Sequence, residues 1–349
     1  MANTRLHKLL HWEHWPLLAF YVPNIPYAFV HGLAARNLVF YTAVNPGILD
    51  SGIGSESKYA TLKLLPEEYI PKSVLHCESS LMEDTLQEIK QQGISYPLIV
   101  KPDIGFRGLL VKKIENEETL VGYLQKYPVD FIIQEFLTHE FECGVFYYRH
   151  PNEKKGKVTS ITLKEFLTIT GDGNSTIKEL VQSDDRAFLY YDLIKDDPLI
   201  NWNQIPEEGT SLKLSSIGNH SKGTRFINGN HLINKELEES LNKLNHQVKG
   251  WFYGRLDVKY NSIEELNQGK FKVLELNGIL AEPTHIYDTT KMSYWKALKT
   301  IRTHWKQLYR IARYNHKHHD VAYRKVVPFL REMFALKAYS NRLKKLSQQ

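Results

Sequence analysis

Between Trp251 and Asn277 the chain twice alternates apolar and polar residues, first as WFYGRLDVKY and then as FKVLELN. The aromatic and β-branched content of both runs predicts strands, and the polar stretch 261–269 between them predicts a loop. Alternation puts Arg255, Asp257 and Lys259 on one face of the first strand, and Val273, Glu275 and Asn277 on one face of the second. Paired as a long-looped hairpin, the two strands would bring Asp257, Glu275 and Asn277 together as oxygen donors. Two carboxylates and a carboxamide suit Mg²⁺, a hard cation that completes its shell with water and phosphate oxygens. A hairpin with a wet, charged face would show the same pattern.

The same reading predicts strands at 37–44, 96–101, 109–114, 131–135, 141–148, 158–169 and 212–214. Helical spacing marks 58–65, 79–92 (capped by Ser79 or Ser80), 117–127, 177–183 and 235–251. Asn45-Pro46-Gly47 signals one turn, and Gly171-Asp172-Gly173-Asn174 another, leading into a helix capped by Ser175 or Thr176. From Ser293 the pattern is helical nearly to the end, broken around 314–320 and at Pro328. The strand–loop–strand–helix–strand block ending at Glu135 is too small to be a whole catalytic domain and suits a lid.

Composition is that of an ordinary soluble globular chain, 42% hydrophobic and 24% charged over 349 residues. Two cysteines, Cys77 and Cys143, give no disulfide framework and fit a reducing, cytoplasmic setting. The net charge of +6 hides an asymmetry: residues 291–349 carry 15 Lys and Arg against 2 Asp and Glu, so the tail is strongly basic and the remainder mildly acidic. Such a tail suits an anionic partner or a membrane surface, without specifying a nucleic acid. The segment 15–35 is aromatic and nearly free of charge, but Pro16, Pro23 and Pro26 argue against a straight membrane span. It suits either a membrane interface or burial against the rest of the protein.

Candidate chemistry recurs along the chain. Lys101 ends an apolar strand just before the glycine-containing loop 103–108, where an ammonium and backbone N–H groups can meet phosphates. Glu135 and Glu142 flank the connection 136–140, which would frame a nucleotide with backbone near Phe136 and Leu137 on the adenine edge and Glu142 on the ribose. Lys222 and Arg225, in the loop NHSKGTRF, are further candidates for an anion.

In their order and spacing, LIVKP at 98–102, DIGFRGLLV at 103–111, QEF with a glutamate seven residues later, and RLD followed by ELN at 255–277 resemble the ATP-grasp superfamily. The turn GDGNSTIKEL and the loop after it are similar to the cyanophycin synthetase and bifunctional glutathione synthetase branch. The metal end is similar to D-alanine–D-alanine ligase. The resemblance spans roughly 56–290 and implies an α/β (α+β) ATP-grasp fold, two α+β subdomains clasping ATP. Within it, a small N-terminal unit (1–75), a lid (76–140), a catalytic subdomain (141–290) and a basic helical tail (291–349) are expected.

What the resemblance implies for the site is specific. Lys58, Lys101 and Lys164 would contact ATP phosphates, Glu135, Phe136 and Leu137 the adenine side, and Glu142 the ribose. Asp257, Glu275 and Asn277 would carry Mg²⁺, and Arg255 would neutralise a developing oxyanion. The implied activity is ATP-dependent carboxylate–amine or carboxylate–thiol ligation of small molecules through an acyl phosphate, with ADP and phosphate as products. A non-catalytic Mg-ATP-binding protein of the same fold, or a module acting on membranes or nucleic acid through its tail, is the alternative. Ser57 replaces the usual aspartate before Lys58, and GILAEPTHIYD after Asn277 departs from the family pattern.

Overall fold

The structure is a computed structural model and describes residues 12–106, 108–195, 200–214, 218 and 223–348. It is an α+β protein built on two larger antiparallel sheets and a small third one. The first sheet has the order β1-β4-β2-β3, from β1 (Ser73–His76), β2 (Leu98–Pro102), β3 (Lys112–Ile114) and β4 (Phe131–Glu135). The second has the order β11-β10-β5-β6-β9, from β5 (Phe141–Tyr148), β6 (Lys157–Glu165), β9 (Arg225–Asn228), β10 (Tyr253–Tyr260) and β11 (Lys272–Asn277). β7 (Thr168–Thr170) and β8 (Ser211–Lys213) make the third.

Alternation along each strand decides what faces where. In β2, Leu98 and Val100 turn into a core with Ile133 and with Ile89, Leu120 and Leu124 of the helices Met82–Gln91 and Glu117–Lys126. Lys101, one residue on, therefore turns to the opposite face. In β10, Leu256, Val258 and Tyr260 join Leu237, Leu241 and Leu244 of the helix Lys235–Gln247 in the main core, leaving Arg255, Asp257 and Lys259 on the other face. Only residues 136–140 connect the two sheets, and their polar faces line one cleft.

The basic tail is two helices, Tyr294–His318 and Val326–Leu346. The first buries Leu308, Ile311 and Ala312 against Phe40, Val44, Phe146 and Tyr253. The second places Phe329 beside Val39 and Ile53, and Leu343 in the core of the first sheet, so the tail packs on both sides of the cleft. No helix among the described residues is long and apolar enough to cross a membrane.

Several sequence expectations are corrected. Residues 37–44 hold a 3₁₀ turn, Phe40–Ala43, rather than a strand, because their apolar side chains pack against the tail helix instead of a neighbouring strand. The expected strand 158–169 is interrupted between β6 and β7, and Leu167 and Ile169 enter a separate core with Ile177 and Val181. The loop 261–269 contains a short helix, Ile263–Asn267, capped by Ser262. The Met82–Gln91 helix starts at Leu81 with no side-chain cap, while Ser80 Oγ accepts from the Cys77 N–H. Pro328 does not break the tail but lies in the first turn of its second helix, where a missing N–H costs little.

Candidate active site

β10 and β11 pair antiparallel with Asp257 opposite Glu275 and Arg255 opposite Asn277. A bulge follows, so that Val258 faces Val273 and the second strand skips one residue. This corrects strict alternation: Val273 enters the main core, whereas Glu275 and Asn277 line the cleft. The three oxygen donors are therefore neighbours.

Each carboxylate is matched by cations. Arg255 donates from Nε to Asp257 Oδ1 at 2.7 Å and from Nη2 to Oδ2 at 3.2 Å, a two-pronged contact, and from Nη1 to the Glu282 carbonyl at 3.0 Å. Lys164 Nζ lies 2.6 Å from Glu142 Oε1 and 3.4 Å from Asp257 Oδ2. Burial pushes the Asp257 carboxyl up, but Arg255 and Lys164 together outweigh it and hold the group at about 2. Lys58 pairs with Glu275. Burial opposes both charges, yet the pairing raises the Lys58 ammonium and lowers the Glu275 carboxyl.

Lys58 opens the short helix Lys58–Leu62, whose cap is Ser57. The Ser57 hydroxyl donates to Asp103 Oδ1 at 3.0 Å, and the Tyr59 N–H donates to the same oxygen at 2.8 Å. Asp103 thus fixes the start of that helix from the other sheet. Lys101 Nζ donates to Gln134 Oε1 at 3.2 Å and to the Leu274 carbonyl at 3.0 Å, bridging the two sheets. Burial lowers this ammonium to about 8, despite Glu275 nearby. Gln134 is itself held by a bond from Nε2 to Ser73 Oγ at 3.0 Å.

At the connection between the sheets, Glu135 Oε1 accepts from the Lys72 N–H at 2.9 Å and the Leu137 carbonyl accepts from Lys259 Nζ at 3.2 Å. Lys113 and Lys259 lie over the Phe136 ring, 4.9 and 5.8 Å from its centroid. Glu142 is buried against Lys164. All eleven site residues expected from sequence line the cleft, whose volume is about 1390 Å³. Arg225 does not: it pairs with Glu165 at 3.5 Å on the sheet edge, and Lys222 lies outside the described residues.

Sequence reading passed over Gln134, Asp103, Lys259 and the Glu282 carbonyl. Lys259 had a signal, since it shares a strand face with Asp257, and Gln134 stood in the QEF run already quoted. The Asp103 carboxylate and the Glu282 carbonyl are placed by the path of loops, for which no periodic signal exists.

For a divalent ion, no group of three His, Cys, Asp or Glu side chains among the described residues gathers to hold one. The set is Asp257, Glu275 and the Asn277 carboxamide, whose Nδ2 is buried without a hydrogen-bond partner among the described residues. Asp257, Glu275 and the Asn277 carboxamide oxygen are hard oxygen donors on adjacent strands, the donor type that Mg²⁺ takes.

No protein-family profile matches this sequence, and no curated protein matches it. Solved structures are similar in part. D-alanine–D-alanine ligase from Bacillus anthracis is 16% identical, with 73% of this chain and 68% of that one covered and a TM-score of 0.40. VanG D-Ala:D-Ser ligase from Enterococcus faecalis is 15% identical over 72% and 61% of the two chains, at 0.42. A bifunctional glutathione synthetase from Pasteurella multocida is 14% identical over 72% of this chain but only 36% of its own, at 0.39. Two of the enzyme kinds named in the sequence reading, D-alanine–D-alanine ligase and bifunctional glutathione synthetase, are among these neighbours.

Proposed function

We propose that this chain is an ATP-dependent carboxylate–amine ligase, forming a carbon–nitrogen bond, with a thiol as the alternative nucleophile. The observation that carries the reading is the convergence of Lys58, Lys101, Lys164 and Arg255 on Asp257, Glu275 and Asn277 in one cleft between two sheets. The cleft, at about 1390 Å³, exceeds the space a single small ligand needs, so a nucleotide and a second reactant fit together.

Asp257, Glu275 and Asn277 would hold Mg²⁺; Lys101 and Lys58 would take the phosphates, and Lys164 would add a further contact. Glu135, Phe136 and Leu137 would line the adenine side and Glu142 the ribose. Bound Mg-ATP would supply the phosphoryl group that turns a substrate carboxylate into an acyl phosphate, from which the nucleophile displaces phosphate. Arg255 stays protonated and is locked in place by Asp257 and Glu282, so its charge is preorganised where an oxyanion would develop. The first sheet and the loop 103–108 would act as the lid that keeps water out. In this reading the lid, catalytic subdomain, N-terminal unit and tail follow the segments expected from sequence.

The test is to incubate the protein with Mg-ATP and a small-molecule extract and follow phosphorus by NMR. ADP and phosphate that form only with extract support a ligase, and fractionation leads to the substrates. Nucleotide binding with no turnover against any fraction would sink the ligase reading and leave a Mg-ATP-binding protein.

A further inference from the structure

The segment 15–35 contains no Asp, Glu, Lys or Arg. It forms a helical turn Leu18–Tyr21, a 3₁₀ turn and the helix Ile25–Ala35. Its inner side is committed: Phe20 is fully buried beside Ile286, Ala297 and Ile301. Its outer side is not. Leu18, Val22, Ile25, Phe29 and Leu33 recur at helical spacing on one face, and each is more than half exposed among the described residues, Leu18 at 68% and Leu33 at 59%. Val30, at 61%, widens the ridge. A contiguous apolar strip of this kind is unusual on a solitary soluble domain.

The tail decides what this ridge suits. The helix Tyr294–His318 runs beside the segment in the same direction. Tyr294 Oη donates to the Ala19 carbonyl at 2.5 Å, Arg302 Nε donates to Asn24 Oδ1 at 2.8 Å, and the His31 ring stacks on Tyr309 at 4.7 Å. That helix carries seven Lys and Arg and no Asp or Glu. Its exposed side is a stripe of Lys296, Lys299, Arg302, Lys306, Arg310 and Arg313, headed by Trp295, which is 76% exposed. Both stripes extend about 25 Å, at 1.5 Å per residue. Their pairing is not legible from sequence, because the two helices are more than 250 residues apart and meet only in the fold.

We infer that this paired surface docks on an anionic lipid bilayer, the apolar ridge entering the acyl boundary and the basic stripe lying among the headgroups. An apolar strip flanked by cations and an interfacial tryptophan is the chemistry of a monotopic contact. A second copy of the chain is the poorer fit, since self-association would bring two basic stripes into proximity. The inference is independent of the cleft, although Trp15, Pro16 and Leu17 at the start of the segment also line it.

The experiment is sedimentation of the full chain with phosphatidylcholine vesicles, with and without phosphatidylglycerol, at low and high salt. Binding only to the anionic vesicles, weakened by salt, is expected. Lys306→Ala with Arg310→Ala should weaken it about 30-fold, and Phe29→Ser with Leu33→Ser at least about tenfold, with melting temperatures unchanged. Both pairs are exposed, so misfolding is not expected and the melt checks it. Failure to sediment with anionic vesicles, or binding indifferent to both pairs, overturns the inference. So does a dimer in analytical ultracentrifugation that Phe29→Ser with Leu33→Ser dissociates, which would assign the ridge to a second copy.

Discussion

Replacing Lys101 by methionine tests the electrostatics of the cleft most directly. Its ammonium is held between Gln134 Oε1 and the Leu274 carbonyl, and burial lowers it from 10.5 to about 8. That displacement corresponds to a cost of about 3 kcal/mol for keeping the group charged near neutral pH. Between about pH 8 and 10.5 the unfolded chain binds more of this proton than the folded one, so stability rises with pH across that window. Other lysines and tyrosines titrate there too, but they are common to wild type and Lys101→Met and cancel in the difference. The unfolding free energy of wild type should therefore gain about 2 kcal/mol on that of the variant between about pH 7 and 9.5. Urea unfolding followed by tryptophan fluorescence at a series of pH values measures it. Lys101→Met should also weaken Mg-ATP binding about tenfold to 100-fold by calorimetry, the worth of one charge-assisted phosphate contact. A pH-independent stability difference would refute the desolvation argument, and unchanged nucleotide affinity would refute the phosphate role.

Three further outcomes follow from the geometry. Glu275→Gln keeps the shape but removes the counter-charge of Lys58, and should raise the Mg²⁺ concentration for half-maximal turnover at least about tenfold; an unchanged magnesium titration would misplace the metal site. At Gly278 an added Cβ would fall 2.1 Å from the Ser51 carbonyl oxygen and 2.7 Å from Gly52 Cα, so Gly278→Ala should cost about 1–3 kcal/mol in urea unfolding, and a neutral result would show that the 51–52 loop yields freely. Burial holds the His304 ring at about 3, so its neutral form contributes stability above the ordinary value of 6.5 that is lost as pH falls through that window. His304→Gln should flatten the acid limb by about 3 kcal/mol between pH 6.5 and 4; an unaltered limb in a thermal melt series would show that this histidine does not govern it.

How much of this was legible in the sequence depended on how local each signal was. β4 and β5 span the residues that their patterns predict, because each is a mostly buried strand whose neighbours add no competing pattern. The helix Ile177–Ser183 was equally plain, and its cap is Thr176, closed by Glu179 in a reciprocal pair. That Asp257 and Glu275 face the cleft follows from period-2 spacing, which holds wherever a strand is regular. It failed at Val273, where a bulge shifts the register, a feature set by pairing with β10 rather than by β11 itself.

Asn45 shows the other limit. Sequence marks Asn45-Pro46-Gly47 as a turn, but not that Asn45 Oδ1 accepts the Phe252 and Tyr253 N–H groups while Nδ2 donates to the Ser51 and Tyr253 carbonyls. Those bonds fasten the N-terminal segment to β10, over 200 residues away. The sequence by itself determined most of the sheet strands, the longer helices, the charge asymmetry and the charged residues that meet in the cleft. Only the tertiary structure decided that Lys58 meets Glu275, that Lys164 sits between Glu142 and Asp257, and that an uncharged ridge lies along a basic one. Periodicity is a property of neighbouring residues, whereas these contacts depend on how sheets and helices bury their apolar faces, and no local pattern encodes that.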